Sequence, residues 1–208
     1  MATPKKLTPE QIIKRQQKAQ SRKENFRDLY EDAYEFALPQ RNLYDGYYEG
    51  KTGGQKKMSR VFDSTAINST QRFANRMQSG IFPPQRKWCK LEPGSDVPPE
   101  RRIEVQQALD VFNQKMFDVL KQSNFDIAIG EFLLDLSVGT AVMLVQPGDG
   151  ITPINFIPVP QYLVAFEEGA NGQVDNVYRR MRIKGESIKQ QWPEAEIDAE
   201  LQKMIDDK

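Results

Sequence analysis

Two different hydrophobic periods run along this chain, and the switch between them falls at Gly139. Before it, apolar residues recur at three- and four-residue spacings, the period of helices; after it, short apolar runs are separated by turn residues, the pattern of strands. Thr8, Pro9 and Gln11 open the first helix. Thr8 can cap it, Pro9 suits its first position, and Gln11 stands where a capping box needs it. As far as Lys23 this helix is almost entirely polar, the pattern of a solvated or partner-facing helix. Its second half carries Phe26, Leu29, Tyr30, Ala33, Tyr34, Phe36 and Ala37 at helical spacing, and Pro39 stops it. A loop rich in glycine and tyrosine fills 40–58, and its length marks it as functional or mobile. Asp63 reads as the cap of a helix faced by Ala66, Ile67, Thr70, Phe73, Ala74 and Met77, with Gly80 just past its end. Alternation from Arg86 to Leu91 predicts a strand that includes Cys89 as a half-buried residue.

Pro98 and Pro99 precede a helix whose apolar stripe is Ile103, Val105, Leu109, Phe112, Met116, Val119 and Leu120. Asn124 reads as the cap of a further helix, Phe125 to Leu136, apolar nearly all round and so the most buried. Strands follow at Ala141–Val145, Ile154–Ile157, Tyr162–Phe166 and Val174–Ile183, joined by glycine-rich turns into an antiparallel meander. Short helices are predicted over 187–206. Helices, then hairpins, then helices make the fold class α+β. The chain divides into a basic polar helical arm, 1–23, and one further unit, 24–208. That unit has helices over 24–38, 63–79 and 99–136, antiparallel strands over 140–183 and helices over 187–206.

Charge changes this picture. The 29 basic and 29 acidic residues cancel, which argues against a protein that coats nucleic acid along its whole length. The charges are sorted, however. Residues 1–23 hold seven bases and one acid, 24–50 two and seven, 51–102 eleven and four, and 103–208 nine and seventeen. Blocks of +6, −5, +7 and −8 suit a subunit whose faces meet different partners. The chain has no histidine and one cysteine, which excludes a histidine-based triad, a histidine metal ligand and a disulfide framework. No P-loop, dinucleotide fingerprint or zinc-protease motif is present. The expectation is a chain that is not an enzyme and takes no cofactor and no metal. The basic N-terminus leads into no apolar segment, and 127–145 is broken by Gly130, Glu131, Asp135 and Gly139. Neither a secretory signal nor a membrane span is expected.

Four candidate features remain. The basic run Lys56, Lys57 and Arg60, followed by Arg72 and Arg76 at i,i+4 spacing, suits phosphate contact or subunit contact, and a solvated or ion-paired helix face competes with both. Tyr44, Tyr47 and Tyr48 could stack on bases or anchor a subunit interface. Asp45 and Glu49 beside them would repel phosphate and favour the interface. Glu131 and Asp135, at i,i+4 spacing in an apolar helix, could bind Mg²⁺ or act as acid and base, but without a third convergent ligand an ion-paired or interface-facing pair is expected. Cys89, between Trp88 and Lys90, is expected to be a packing residue rather than a nucleophile.

The stretch from Lys57 to Ala66, then Arg72-Phe73-Ala74-Asn75-Arg76-Met77-Gln78-Ser79-Gly80-Ile81-Phe82-Pro83-Pro84 and Lys87-Trp88-Cys89-Lys90-Leu91, resembles the beginning of the head-to-tail connecting (portal) proteins of short-tailed bacteriophages. So do Arg27 to Pro39, the Gly139-Thr140 step into a strand, and Ile157-Pro158-Val159 with Tyr162. The resemblance covers about 24 to 192. It implies a homo-oligomeric ring, a dodecamer, at one capsid vertex, with double-stranded DNA pumped in by terminase and later ejected through the channel. It further implies capsid, scaffolding and tail adaptor proteins as partners, and a location in the virion, with assembly in the host cytoplasm. This chain would be the first part of the wing. The resemblance also implies that stem, clip and returning wing strands follow Lys208. A nucleic-acid-binding adaptor that forms no ring is the alternative, resting on the bases in 1–23 and 51–102.

Overall fold

The computed structural model describes residues 7–41, 60–84 and 86–206. Seven α-helices and four strands are described: α1 Pro9–Glu24, α2 Arg27–Ala37, α3 Thr65–Ile81, α4 Arg102–Gln122, α5 Phe125–Val138, β1 Val142–Pro147, β2 Ile154–Val159, β3 Val164–Glu168, β4 Val174–Arg179, α6 Glu186–Gln191 and α7 Ala199–Asp206. The architecture is α+β, as the order of periods predicts, with short helices at the C-terminal end.

The first helix starts as its sequence dictates. Gln11 N–H donates to Thr8 Oγ1 (3.4 Å) and Thr8 N–H to Gln11 Oε1 (3.1 Å), the reciprocal capping box. It does not run on to Pro39. The chain breaks at Asn25 and Phe26, so α1 follows β3 while α2 turns to pack against α3 and α5. The Lys23 ammonium helps to place the break, donating to the backbone oxygens of Gln161 (2.7 Å) and Tyr162 (2.6 Å) across the fold.

The core sits where α2, α3 and α5 meet. Ala74, Ile129 and Leu133 are buried together, with Met77, Phe82, Phe125, Phe132 and Met143 packed around them. Tyr34 and Leu38 form a second cluster with Leu134, Val138 and Tyr162. The predicted burial of α5 therefore holds. That of α4 does not. Among its stripe residues Ile103 is 73% exposed and Phe112 63%, and only Asn113 and Phe117 of the helix are buried. Its apolar face is wider than the contact the described residues provide for it.

Four local expectations need correction. Gly80 lies inside the last turn of α3, and the helix ends at Ile81. Asp63 does not stand at the cap position of α3, which Ser64 occupies, yet its carboxylate accepts from Thr65 N–H at 2.6 Å and so satisfies one of the free first-turn amides. The segment from Arg86 to Leu91 is not a strand. Leu91 has a side chain for a partner instead: its N–H donates to Asn113 Oδ1 (2.9 Å) and its carbonyl accepts from Asn113 Nδ2 (3.4 Å). Trp88 anchors this irregular stretch, meeting Phe82 and Phe117 edge-on and stacking on Phe125, while Cys89 is exposed rather than half-buried.

Both hairpins form in antiparallel register. β1 pairs with β2 from Val142 opposite Val159 to Pro147 opposite Ile154, and β3 pairs with β4 with an irregularity at Glu167 and Glu168. The meander divides into two separate two-stranded sheets, because Pro160 and a 3-10 turn over Gln161–Leu163 stand between β2 and β3 and interrupt the ladder. The hairpin tips are built tightly. A Cβ on Gly148 would sit 1.6 Å from the Thr152 carbonyl oxygen, and Gly172 adopts φ +70°.

Candidate functional site

The basic candidates do not form one patch among the described residues. Lys56 and Lys57 lie outside them, as do Tyr44, Tyr47, Tyr48 and the 40–58 loop except for its first two residues. Arg60 is already committed. Its guanidinium binds Asp32 (3.0 Å) and Glu35 on α2 and lies over the Phe36 ring, 5.4 Å from its centre. The hydrogen bond from Arg60 holds the Glu35 carboxyl below its usual range, and the two carboxylates hold Arg60 above its own. Arg72 and Arg76 differ. Both are exposed on α3, opposite the face that buries Thr70 and Ala74, and neither has a carboxylate partner among the described residues.

The carboxylate pair of α5 is a structural joint. Arg41, just beyond α2, donates through Nε and Nη2 to both oxygens of Asp135 (3.0 and 2.7 Å) and through Nη1 to Glu131 (2.9 Å). The Tyr34 hydroxyl adds a longer bond to Asp135 at 3.4 Å. Burial pushes the Asp135 carboxyl up, and Arg41 and Tyr34 offset part of that rise. Burial also lowers Arg41, but the bonds and charges of Asp135 and Glu131 outweigh it and leave the guanidinium firmly protonated. The expectation of an ion pair here is met. Its cationic member was not visible in the sequence, because ninety residues separate Arg41 from Glu131.

Sequence reading missed a second constellation, at the junction of α1, α2 and β3. A depression of about 330 Å³ is lined there by Lys23, Phe26, Tyr30, Thr140, Gln161 and Phe166, among others. Burial lowers Lys23 from 10.5 to about 8. Gln161 is buried and its side-chain oxygen has no hydrogen-bond partner among the described residues; it presses against Gly139, whose added Cβ would lie 2.0 Å away. Close by, Glu167 accepts from Arg15 Nε and Nη2 (3.0 Å each) and from the Tyr178 hydroxyl (2.8 Å), tying α1 to the β3–β4 hairpin. These bonds hold Glu167 below its usual range. Among the described residues no three of Asp, Glu or Cys gather as a metal site would require, and no helix is long and apolar enough to cross a membrane.

The geometry is that of side chains joining elements, with two cations left outward on α3. The family description that matches is that of a bacteriophage head to tail connecting protein, and it matches over residues 9–208. The chain belongs to that family. No individual curated protein matches it. A head-to-tail connecting protein is a structural component of the phage particle that assembles with capsid and tail components.

Proposed function

We propose that this connector is the subunit of a homododecameric ring at one capsid vertex, of the type found in short-tailed phages. Double-stranded DNA enters through the ring under terminase, leaves through it on ejection, and the tail attaches to it through adaptor proteins. Capsid and scaffolding proteins meet the ring during assembly in the host cytoplasm. The observation that carries the reading is the family match over 9–208, together with a described surface that carries joints rather than convergent reactive groups. The basic arm, 1–23, and the wing portion, 24–208, are the two working parts. Lys56, Lys57, Arg60, Arg72 and Arg76 face DNA or a neighbouring subunit, and Tyr44, Tyr47 and Tyr48 belong to an interface. Electron microscopy and sedimentation of the purified gene product, concentrated and at low salt, test this. Closed rings are expected; a species that stays monomeric throughout overturns the ring.

A second reading, a DNA-binding adaptor that forms no ring, is favoured by one observation: Arg72 and Arg76 are exposed and lack carboxylate partners among the described residues. It predicts DNA affinity that falls steeply with salt. A flat salt response counts against it.

A further inference from the structure

The outer face of α3 has no partner among the described residues, and its charge indicates what covers it. Several arginines in the described fold are matched: Arg15 by Glu167, Arg27 by Glu24 and Glu31, Arg41 by Asp135, Arg60 by Asp32 and Glu35. Arg72 and Arg76 are not, although they are held one turn apart by a well-packed helix. The chain carries a complementary surplus elsewhere. Glu194, Glu196 and Asp198, at the connection between α6 and α7, and Glu200 in the first turn of α7 are all exposed and form no ion pair among the described residues.

The two spacings also agree. From Ala195 to Asp198, past the turn that Ala195 N–H closes on the Trp192 carbonyl (3.0 Å), exposure alternates residue by residue, with Ala195 and Ile197 turned partly inward, which is the period of extended chain. Alternate side chains of an extended segment lie about 6.7 Å apart. Residues i and i+4 of a helix lie about 6 Å apart along its axis. Two carboxylates of the segment can therefore meet two guanidiniums of α3 together, each in the two-pronged geometry that arginine favours.

We propose that Arg72 and Arg76 dock on the Glu194–Asp198 segment of a second copy of this chain. The two surfaces differ, so the contact is head-to-tail; it leaves each copy with one free surface of either kind and propagates until a ring closes. It rests on the ring-subunit reading and gives that reading one of its subunit contacts. Phosphate is the weaker occupant. The rest of the α3 outer face is neutral, with Asn68, Gln71, Asn75 and Ser79, and Arg60 is already matched by two carboxylates. Two free cations release few counterions from DNA, whereas two charge-matched pairs suffice to fix the register of a protein contact.

Sedimentation velocity of the full chain, at low and high salt, tests this with three variants: R72E/R76E, E194R/E196R/D198R, and the two sets combined. Wild type associates at low salt, each charge-reversed set weakens association by roughly tenfold or more, and the combined chain recovers it. Association of R72E/R76E equal to wild type overturns the contact while leaving the ring in place. Wild type that never associates overturns the ring reading, and the contact with it. Unchanged association of R72E/R76E with loss of retention on a DNA column gives the face to DNA and overturns the proposal.

Discussion

At the scale of single residues, the most consequential side chain in this fold is Arg41. It faces a carboxylate, Asp135, whose side chain is 1% exposed, and it supplies two of that group's three hydrogen bonds. A buried charge left without its partner costs far more than the pair contributes when intact. Arg41→Met is expected to destabilise by about 3–5 kcal/mol in urea unfolding. R41M/D135N is expected to recover most of the loss, because it leaves no bare charge. The pH dependence follows from the sign of the shift. Burial raises Asp135 above its ordinary 3.8, so its contribution to stability is fully present below that value and is lost as pH rises through the folded value. Without Arg41 the folded value climbs further, so the R41M penalty is smallest near the acid end and grows toward neutrality. A penalty independent of pH contradicts this. Lys23 shifts in the other direction. Burial lowers it from 10.5 to about 8, so below pH 8 both folded and unfolded chains hold the proton and no slope arises. Between pH 8 and 10.5 the folded chain releases it first, and stability rises. Unfolding midpoints across that range are expected to climb for wild type relative to Lys23→Met and to run parallel below it.

At the scale of elements, side-chain amides do work that sequence patterns assign to strands and caps. Asn124 stands at the cap position of α5 but makes no cap; its Nδ2 donates to the Phe156 carbonyl (2.7 Å) and its Oδ1 accepts from Phe156 N–H (2.8 Å). In effect it is a one-residue strand laid along the free edge of β2, and it couples the start of α5 to the hairpin. Asn124→Ala strips both partners from a buried residue and is expected to cost about 1–3 kcal/mol. Hydrogen exchange at the Phe156 amide is the direct check: protection falls at that amide while Leu144, opposite Ile157 in the β1–β2 ladder, keeps its own. The same substitution of amide for ladder explains the false strand at Arg86–Leu91, where Asn113 is the partner. Elements whose period arises from their own burial were legible in the sequence: α3, α5, both hairpins and the Thr8 capping box. Those that depend on a partner far along the chain were not. The break at Asn25 answers to carbonyls near residue 161, the α5 carboxylates answer to Arg41, and the split of the meander answers to Pro160 and the turn after it. The candidate basic site was half legible for the same reason. Arg72 and Arg76 stand outward as their spacing implies, whereas Arg60 was claimed by Asp32 and Glu35, 25 to 28 residues upstream, which no local pattern records.

At the scale of the whole molecule, the chain is closed by its first helix. α1 lies along β3, and the bond from Arg15 to Glu167 spans 152 residues. The helix is mostly polar, so burial cannot hold it along its length; only Ala19 is buried, beside Lys23 and its carbonyls. The Arg15–Glu167 pair is screened by solvent and contributes little. The small side chain at 19 therefore decides whether α1 can approach the sheet at all. Arg15→Ala is expected to leave global stability nearly unchanged, with α1 still docked. Ala19→Glu places a charge and four extra heavy atoms against β3, and is expected to release α1 as a unit. Its amides from 12 to 24 then exchange freely, and protection falls along β3 and β4, while α3 and α5, which pack on each other, keep theirs. Uniform loss of protection in Ala19→Glu would instead mean that α1 is required for the core itself. Local release is the outcome the contacts favour, because both hydrophobic clusters are complete without any residue of α1.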